Sequence, residues 1–450
     1  MLKITWHPLC HAVLKEENFT VEKLVVPVAR SNSRSWRGRI SQKIPEPARD
    51  RVFRRYWTAS VVSTVGDGVA VLAIPLVATV SLRAGTSQVS LLVALTWLPS
   101  LLFSIPAGRW VDRLGRPKEV MAGSDFARFV LACSVALLNA LHVLQFWNLC
   151  FLVFLLGFFS VLFDVSDISV FGLLVQPEDY VSAQSLLQGG REVAFLLGPT
   201  VGGLIVQVVT APFALLFDGI SFLISAALLR GALPASPGSD SHGVRYLPSN
   251  GFNFRPRYPI IRSILYATAW CNLFLNVINA VFIVYLVRSL HLSAWAIGLY
   301  YSVTALGGIA GSLVLNRMAR RIGVGRTLIA GFVLYCTPGI IIPMVKGSAA
   351  FVSGAILLQA LVSGAGMIIR DSSIGAVFTA VVPNEMRASV RGVFQTISFG
   401  MRPVGALAGG LIAASFGMKS TLWVGAAGAA LGFVWVARSS LVRHFDIEGP

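Results

Sequence analysis

Acidic side chains in the middle of long apolar stretches are the residues of this chain most able to do chemistry. In the first such stretch, Ser60, Ser63 or Thr64, and Asp67 recur at helical spacing, and Gly66 and Gly68 flank the acid. The fourth stretch places Ser160, Asp164 and Asp167 on one stripe, the fifth Gln184, Gln188 and Arg191 with Glu192 adjacent, and the seventh Asn272, Asn276 and Asn279. A charged group at mid-bilayer costs roughly 2.5 to 3.5 kcal/mol on insertion scales, so each acid there is read as carrying protons or holding a substrate. Asp67, Asp164, Asp167, Arg191 and Glu192 are the candidates for that role, and Ser63, Gln188, Asn272, Asn276 and Asn279 are candidates to line a shared wet cavity. Amides also hold membrane helices together, worth about 0.6 kcal/mol on average, so the Asn stripe reads either way. Arg191 and Glu192 point about 100° apart on a helix and need not pair with each other, and a salt bridge from Arg191 to Asp164 or Asp167 is the structural alternative to a coupling role. Asp125 and Arg128 read as local structure near the start of the third stretch, where snorkelling is cheap. Asp218 reads as structural near a helix end, and Asp371 as an ion pair with Arg370.

Elements that hold such stripes in place must be membrane helices. The 450 residues are 55% hydrophobic and only 13% charged, with a mean hydropathy of +0.73. That balance belongs to a polytopic membrane protein. At about 20 apolar residues per crossing, twelve spans are expected, near 56–80, 88–108, 119–141, 147–171, 183–208, 211–230, 260–286, 293–315, 327–345, 348–370, 390–415 and 418–438. Residues 1–55 form a basic extension read as disordered, 231–259 a linker rich in Pro, Ser and Gly, and 439–450 a tail. The halves are then 56–230 and 260–438.

The net charge of +17 sits in the gaps between apolar runs rather than on one polar surface, which argues against nucleic acid. With both termini cytoplasmic, the cytoplasmic side collects the basic amino terminus, Arg109 to Lys118, the linker, Arg317, Arg320, Arg321, Arg326, Arg387, Arg391 and the tail. The other side keeps Arg83, Arg288, Lys346 and Lys419. Only the Gln176 to Ser182 loop departs, carrying Glu178 and Asp179 without a basic residue. Five scattered cysteines give no disulfide framework, and no cofactor or metal is called for. The histidines fall outside the apolar interiors, His-Glu-x-x-His is absent, and no phosphate-binding Gly-x-x-x-x-Gly-Lys-Ser/Thr loop occurs, so an intramembrane enzyme is a remote alternative.

The chain repeats itself. Pro177-Glu-Asp leads to Gly202-Gly203-Leu-Ile205, and Pro383-Asn-Glu leads to Gly409-Gly410-Leu-Ile412, with 206 residues from Pro177 to Pro383 and 207 from Gly202 to Gly409. The tight basic turn Gly108-Arg-Trp-Val-Asp112-Arg113-Leu-Gly115-Arg116-Pro-Lys118 resembles the loop between helices 2 and 3 of major facilitator superfamily transporters, and Gly311 to Arg326 is a degraded echo of it. Gly198-Pro199-Thr-Val-Gly202-Gly203 is similar to the antiporter motif of that family's drug:proton antiporters, with Ala194 where an earlier Gly would be. Gly66-Asp67-Gly68 with Pro75-Leu76, Phe163-Asp164 and Phe217-Asp218 look most like the branch of macrolide efflux proteins and the enterobactin exporter.

The resemblance implies an all-α integral membrane protein of twelve helices in two pseudo-symmetric six-helix halves, not an enzyme. It implies a secondary active transporter that exports amphipathic small molecules of drug, antibiotic or siderophore type by proton antiport and alternating access, with a facilitator-type importer or uniporter of a small polar solute as the alternative. Its partners would be a small-molecule substrate, protons and lipid, with no nucleic acid, and the protein would be a multi-pass monomer of the plasma membrane. On the same resemblance, Asp112 would cap the start of helix 11 near Arg387 and Arg391 in the outward-facing state. The fourth helix carries Asp164 and Asp167 where many such antiporters carry an Arg, and Arg191 or Arg402 could stand in for it.

Overall fold

The computed structural model describes residues 50–175, 179–232, 259–382 and 384–438. Most of the expected extension, linker and tail, together with Glu178, therefore lies outside the described residues, as do the side chains of Glu192, Arg387 and Arg391. The first helix, α1, is Arg51–Leu76 and ends in a π-helical turn, Val77–Ser81. It starts five residues before the expected boundary because Asp50 caps it, accepting from the Val52 N–H at 3.0 Å. Helices α2 (Thr86–Leu114), α3 (Pro117–Ala140), α4 (Phe146–Leu174), α5 (Tyr180–Val209) and α6 (Ala211–Ala232) complete the first half. In the second half lie α7 (Pro259–Arg288), α8 (Ala294–Ile322), α9 (Val324–Cys336) and α10 (Ala349–Val381). Pro338 tightens the end of α9 into a 3-10 turn, Thr337–Ile340, before Ile341–Met344.

A final helical stretch, Asn384–Ala430, is broken at Gly417, whose φ of 82° and ψ of 164° no helix contains. It comprises α11 (384–416) and α12 (418–430), with a last turn at Phe433–Ala437. Among the described residues, eleven helical stretches are long and apolar enough to cross a bilayer, and the break at Gly417 makes two crossings of the 45-residue last one. Twelve spans result. Several exceed the 20 or so residues that a bilayer needs, α10 reaching 33, so their ends stand clear of the hydrocarbon.

Packing follows the sequence repeat. α1 lies against α5 and α6 as α7 lies against α11 and α12, and α2 packs on α4 as α8 packs on α10. Between halves the matched pairs are α5 with α8 and α11 with α2, each the image of the other under exchange of the halves. Small residues allow these approaches. A Cβ at Gly307 would sit 2.0 Å from the Leu361 carbonyl, and one at Gly405 would sit 2.1 Å from that of Leu273.

One end of the bundle carries the turn at Gly115 and Arg116, and we call it the basic end; the far end carries the loops at 82–85, 141–145 and 289–293. Contacts between halves run from the far end to mid-depth. Arg288 donates to the Ala84 carbonyl at 2.7 Å, the Ser90 hydroxyl to the Ala280 carbonyl at 3.2 Å, and the Thr200 and Ser302 hydroxyls lie 2.5 Å apart. Among the described residues, the hydrogen bonds between the halves lie at the far end and at mid-depth.

Candidate functional site

Asp67 lies near the middle of α1, between two glycines that let neighbouring helices come close. A Cβ on Gly66 would fall 2.6 Å from an Asp218 carboxylate oxygen on α6, and one on Gly68 would fall 2.7 Å from the Gly198 Cα on α5. Held on both sides, α1 presents Asp67 with its side chain half exposed, 3.5 Å from the Arg128 guanidinium. Arg128 is buried on α3, hydrogen-bonds Asp125 one turn away, and lies 4.5 Å and 4.1 Å from the Phe163 and Phe222 ring centroids.

This corrects the reading of Asp125 and Arg128 as cheap interfacial groups. Because α3 starts at Pro117, they lie eight and eleven residues into it, roughly 12 and 16 Å along its axis. Both are almost completely buried, and Asp125 Oδ2 and Arg128 Nε have no hydrogen-bond partner. Asp218 joins them rather than standing alone at a helix end: it is 1% exposed, and its Oδ1 is also unpartnered.

A second arm extends toward the basic end. Arg191 of α5 pairs with Asp167 of α4 at 2.7 Å and donates to the Ser60 hydroxyl of α1 at 2.7 Å. Tyr56 of α1 donates to the other Asp167 oxygen at 2.6 Å. Of the two partners open to Arg191, the structure selects Asp167. Asp164, one turn earlier on α4, is exposed and lies within the field of Arg128, Asp167, Asp67 and Arg191. Five aspartates thus surround two arginines in the first half.

The expected cavity-lining residues divide. Gln188 and Asn279 are exposed. Ser63, Asn272 and Asn276 are not: all three are buried, so they line no open space. Asn272 donates to the Ser398 carbonyl of α11 at 2.9 Å, and Asn276 donates back to the Asn272 carbonyl at 2.8 Å, which is helix adhesion. The Arg370 and Asp371 pair forms as expected, at 2.7 Å, with Arg370 against the Tyr335 ring at 4.2 Å.

Gly198, Pro199, Gly202 and Gly203 make α5 a two-sided contact. Gly198 and Gly202 face α1, where added Cβ atoms would meet the Gly68 Cα at 2.8 Å and the Val69 Cα at 2.9 Å. Gly203 faces α8 of the other half, where a Cβ would meet the Gly298 Cα at 2.8 Å. In the basic turn, Gly115 adopts the left-handed conformation that ends α2, φ 62°, and Pro117 opens α3. Gly108 approaches Val165 of α4, Lys118 is half-buried, and Asp112, Arg113 and Arg116 are exposed.

The family model for the Major Facilitator Superfamily matches residues 56–399 and 265–445. The chain belongs to the major facilitator superfamily. Among relatives, an uncharacterized MFS-type transporter of Bacillus subtilis, YfiS, is 24% identical over 384 residues, 80% of this chain and 86% of that one. The enterobactin exporter EntS of Salmonella typhimurium is 26% identical over 313 residues, 67% of this chain and 71% of the exporter. A bacterial homologue of the iron transporter ferroportin superposes in its inward-facing state with a TM-score of 0.69 at 17% identity, over 86% of this chain and 98% of that one. Its outward-facing state gives 0.54 at 19% identity, over 86% and 99%.

As a facilitator-superfamily member the protein is a multi-pass membrane transporter, not an enzyme. One group escaped the sequence reading, and another, Arg402, entered it only as a stand-in for a fourth-helix Arg. Tyr56 falls at the edge of the expected first span, where tyrosine reads as an interfacial anchor. Arg402 lies on α11 with its guanidinium carbon 4.2 Å from the Trp97 ring centroid of α2 and 4.1 Å from that of Phe399.

Proposed function

We propose that the protein is a proton-driven exporter of amphipathic small molecules that works by alternating access, and that the described state faces the cytoplasm. The observation that carries this reading is the cluster of Asp67, Asp125, Asp164, Asp167 and Asp218 around Arg128 and Arg191, with Asp67 and Asp164 reaching open space. Carboxylates outnumber guanidiniums there, so the cluster has capacity to take up and release protons where ionised groups are expensive. The excess of Lys and Arg at the basic end assigns that end to the cytoplasm. Hydrogen bonds between the halves at the far end and at mid-depth support an inward-facing state, as does the higher superposition score against an inward-facing relative.

In the cycle, Asp67 and Asp164 are the coupling groups, and the pair of Asp167 with Arg191 holds α1, α4 and α5 in register. At 100 mV one proton supplies about 2.3 kcal/mol, enough for about 50-fold accumulation of substrate. Export is favoured over uptake by the Gly198 to Gly203 motif and by the likeness to an exporter.

The test is uptake of a fluorescent drug panel into inverted vesicles with an acid interior, comparing wild type with Asp67→Asn. Accumulation that an uncoupler abolishes and the variant lacks supports the proposal. A compound that equilibrates alike with and without the gradient replaces it with facilitated diffusion.

A further inference from the structure

Four arginines stand well inside the spans: Arg128, Arg191, Arg370 and Arg402. The first three have carboxylate partners, Asp67 and Asp125, Asp167, and Asp371. Arg402 has none. Among the described residues no acid comes within ion-pair distance of it, and its donors make no hydrogen bond to protein. They are not sealed off either, since Arg402 is half-buried and its nitrogens are absent from the enclosed, unpartnered polar atoms. An arginine at this depth is costly unless something takes its charge.

Its surroundings point to what that is. The Trp97 and Phe399 rings lie against the guanidinium and orient it, leaving the in-plane N–H donors, which match a carboxylate or a pair of adjacent oxyanions. Its contact with Trp97 crosses between the halves, near the middle of α2 and of α11. At mid-depth the first half is acidic, around Asp67 and Asp164, while Arg402 of the second half brings a positive charge.

We infer that Arg402, flanked by Trp97 and Phe399, is the binding subsite for the anionic group of the transported molecule, and that substrates include aromatic organic anions. The oxyanion accepts from the guanidinium edge, and the ligand's ring packs on Trp97 and Phe399. This rests on the transport reading above, but not on its direction or on proton coupling. The rival role, a purely structural clamp between α2 and α11, needs no ligand.

The experiment is equilibrium binding to the purified full chain in detergent, without any gradient. Fluorescein is followed by anisotropy, naphthalene-2-carboxylate and 2,3-dihydroxybenzoate by competition, and the cation rhodamine 6G serves as comparison. Wild type is expected to bind at least one of the anions. Arg402→Gln should weaken that binding at least tenfold, and Arg402→Lys, which keeps charge but loses the fork, about three- to tenfold. Rhodamine 6G should change less than twofold. The melting temperature of each variant reports folding, and if Arg402→Gln does not fold, Arg402→Lys decides. The inference is overturned if no anion binds wild type up to millimolar concentration, if a folded variant binds like wild type, or if anion and cation weaken together. Arg402-dependent anion binding without gradient-driven transport would remove proton antiport and leave this site standing.

Discussion

Gly203 and Gly298 are where α5 and α8 touch across the far end, and replacing either with alanine should open it. The Cβ of Gly203→Ala would lie 2.8 Å from the Gly298 Cα, 3.1 Å from the Ala294 carbonyl oxygen and 3.3 Å from the Gly298 nitrogen. Two of these three atoms are backbone of the residue directly opposite, so no rotamer change relieves the clash. Carbon atoms rest at about 3.5 to 4.0 Å, so the helices must separate by roughly 0.7 to 1.2 Å. Overpacking of this kind costs about 1 to 3 kcal/mol. The penalty falls only on states in which α5 and α8 meet, so it shifts the balance toward the opposite-facing state by about 5- to 150-fold.

The assay is pulsed electron-electron distance measurement between spin labels at Leu114 on α2 and Ile322 on α8, both exposed at the basic end, after replacing the five native cysteines. Rocking of the halves means that opening the far end draws the basic ends together. The long-distance population of wild type should shrink in Gly203→Ala and in Gly298→Ala. Gly189→Ala, on the same helix with nothing within 4 Å of the added carbon, is the control and should leave the distribution unchanged. A lower melting temperature with an unmoved distance distribution would refute the reasoning, because the contact would then be packing without control of the state.

Gly68→Ala places its Cβ 2.7 Å from the Gly198 Cα within one half, so a loss of about 1 to 3 kcal/mol in thermal unfolding is expected with no change in the label distances. Asp167→Asn removes the 2.7 Å pair to Arg191 but leaves that arginine partly solvated, 28% exposed, so the expected loss is about 1 to 3 kcal/mol. Adding Arg191→Gln should restore part of it, and equal, additive losses would show that the two do not act as a pair. The Cys271 and Cys336 thiols lie 3.2 Å apart between α7 and α9, so mild oxidation with copper phenanthroline should protect both from alkylation. Continued labelling of both would contradict the packing of those helices.

How far the sequence could be read depended on which signal was local. Hydropathy runs and the 206-residue repeat made the two six-helix halves legible, since a span announces itself by its own composition. Helix starts were less so: α1 was placed five residues late because one aspartate, Asp50, decides the cap. In the site, an acid one helix away for Arg191 was legible as an alternative, and the ion pair at Arg370 was legible from the adjacency of Asp371. Depth was not. Asp125 and Arg128 read as interfacial because they lie in the first half of the third span, but their burial comes from neighbours on other helices, Phe163 and Phe222, that local sequence does not show. Which face an amide presents was also hidden, as Asn272 and Asn276 show, because that depends on where α11 lies. The lack of a partner for Arg402 is a property of the assembled bundle and has no trace in its neighbours along the chain.

The placement of Asp67 gives the acidic cluster a mechanical route to the far end. Gly68, the next residue, is backbone to backbone with Gly198; Gly202, one turn on, carries Val69; and Gly203 beside it meets Gly298 of the other half. Three contacts without intervening side chains therefore run from the carboxylate to the interface between halves. Contact alone is not coupling, because a chain of packed atoms transmits nothing unless it has two arrangements. Here the second arrangement is supplied by the charge on Asp67. Ionised, it is drawn to Arg128 at 3.5 Å; neutral, it loses that attraction, while the packing of Gly66 against Asp218 and Ser221 stays. If that difference biases the far end, Asp67→Asn and Gly203→Ala must be non-additive in the label distances. The double variant should then differ from the sum of the single shifts by more than about 0.5 kcal/mol, the scatter seen for independent sites. Strict additivity would assign the glycines to packing and leave proton coupling to be carried by Asp164.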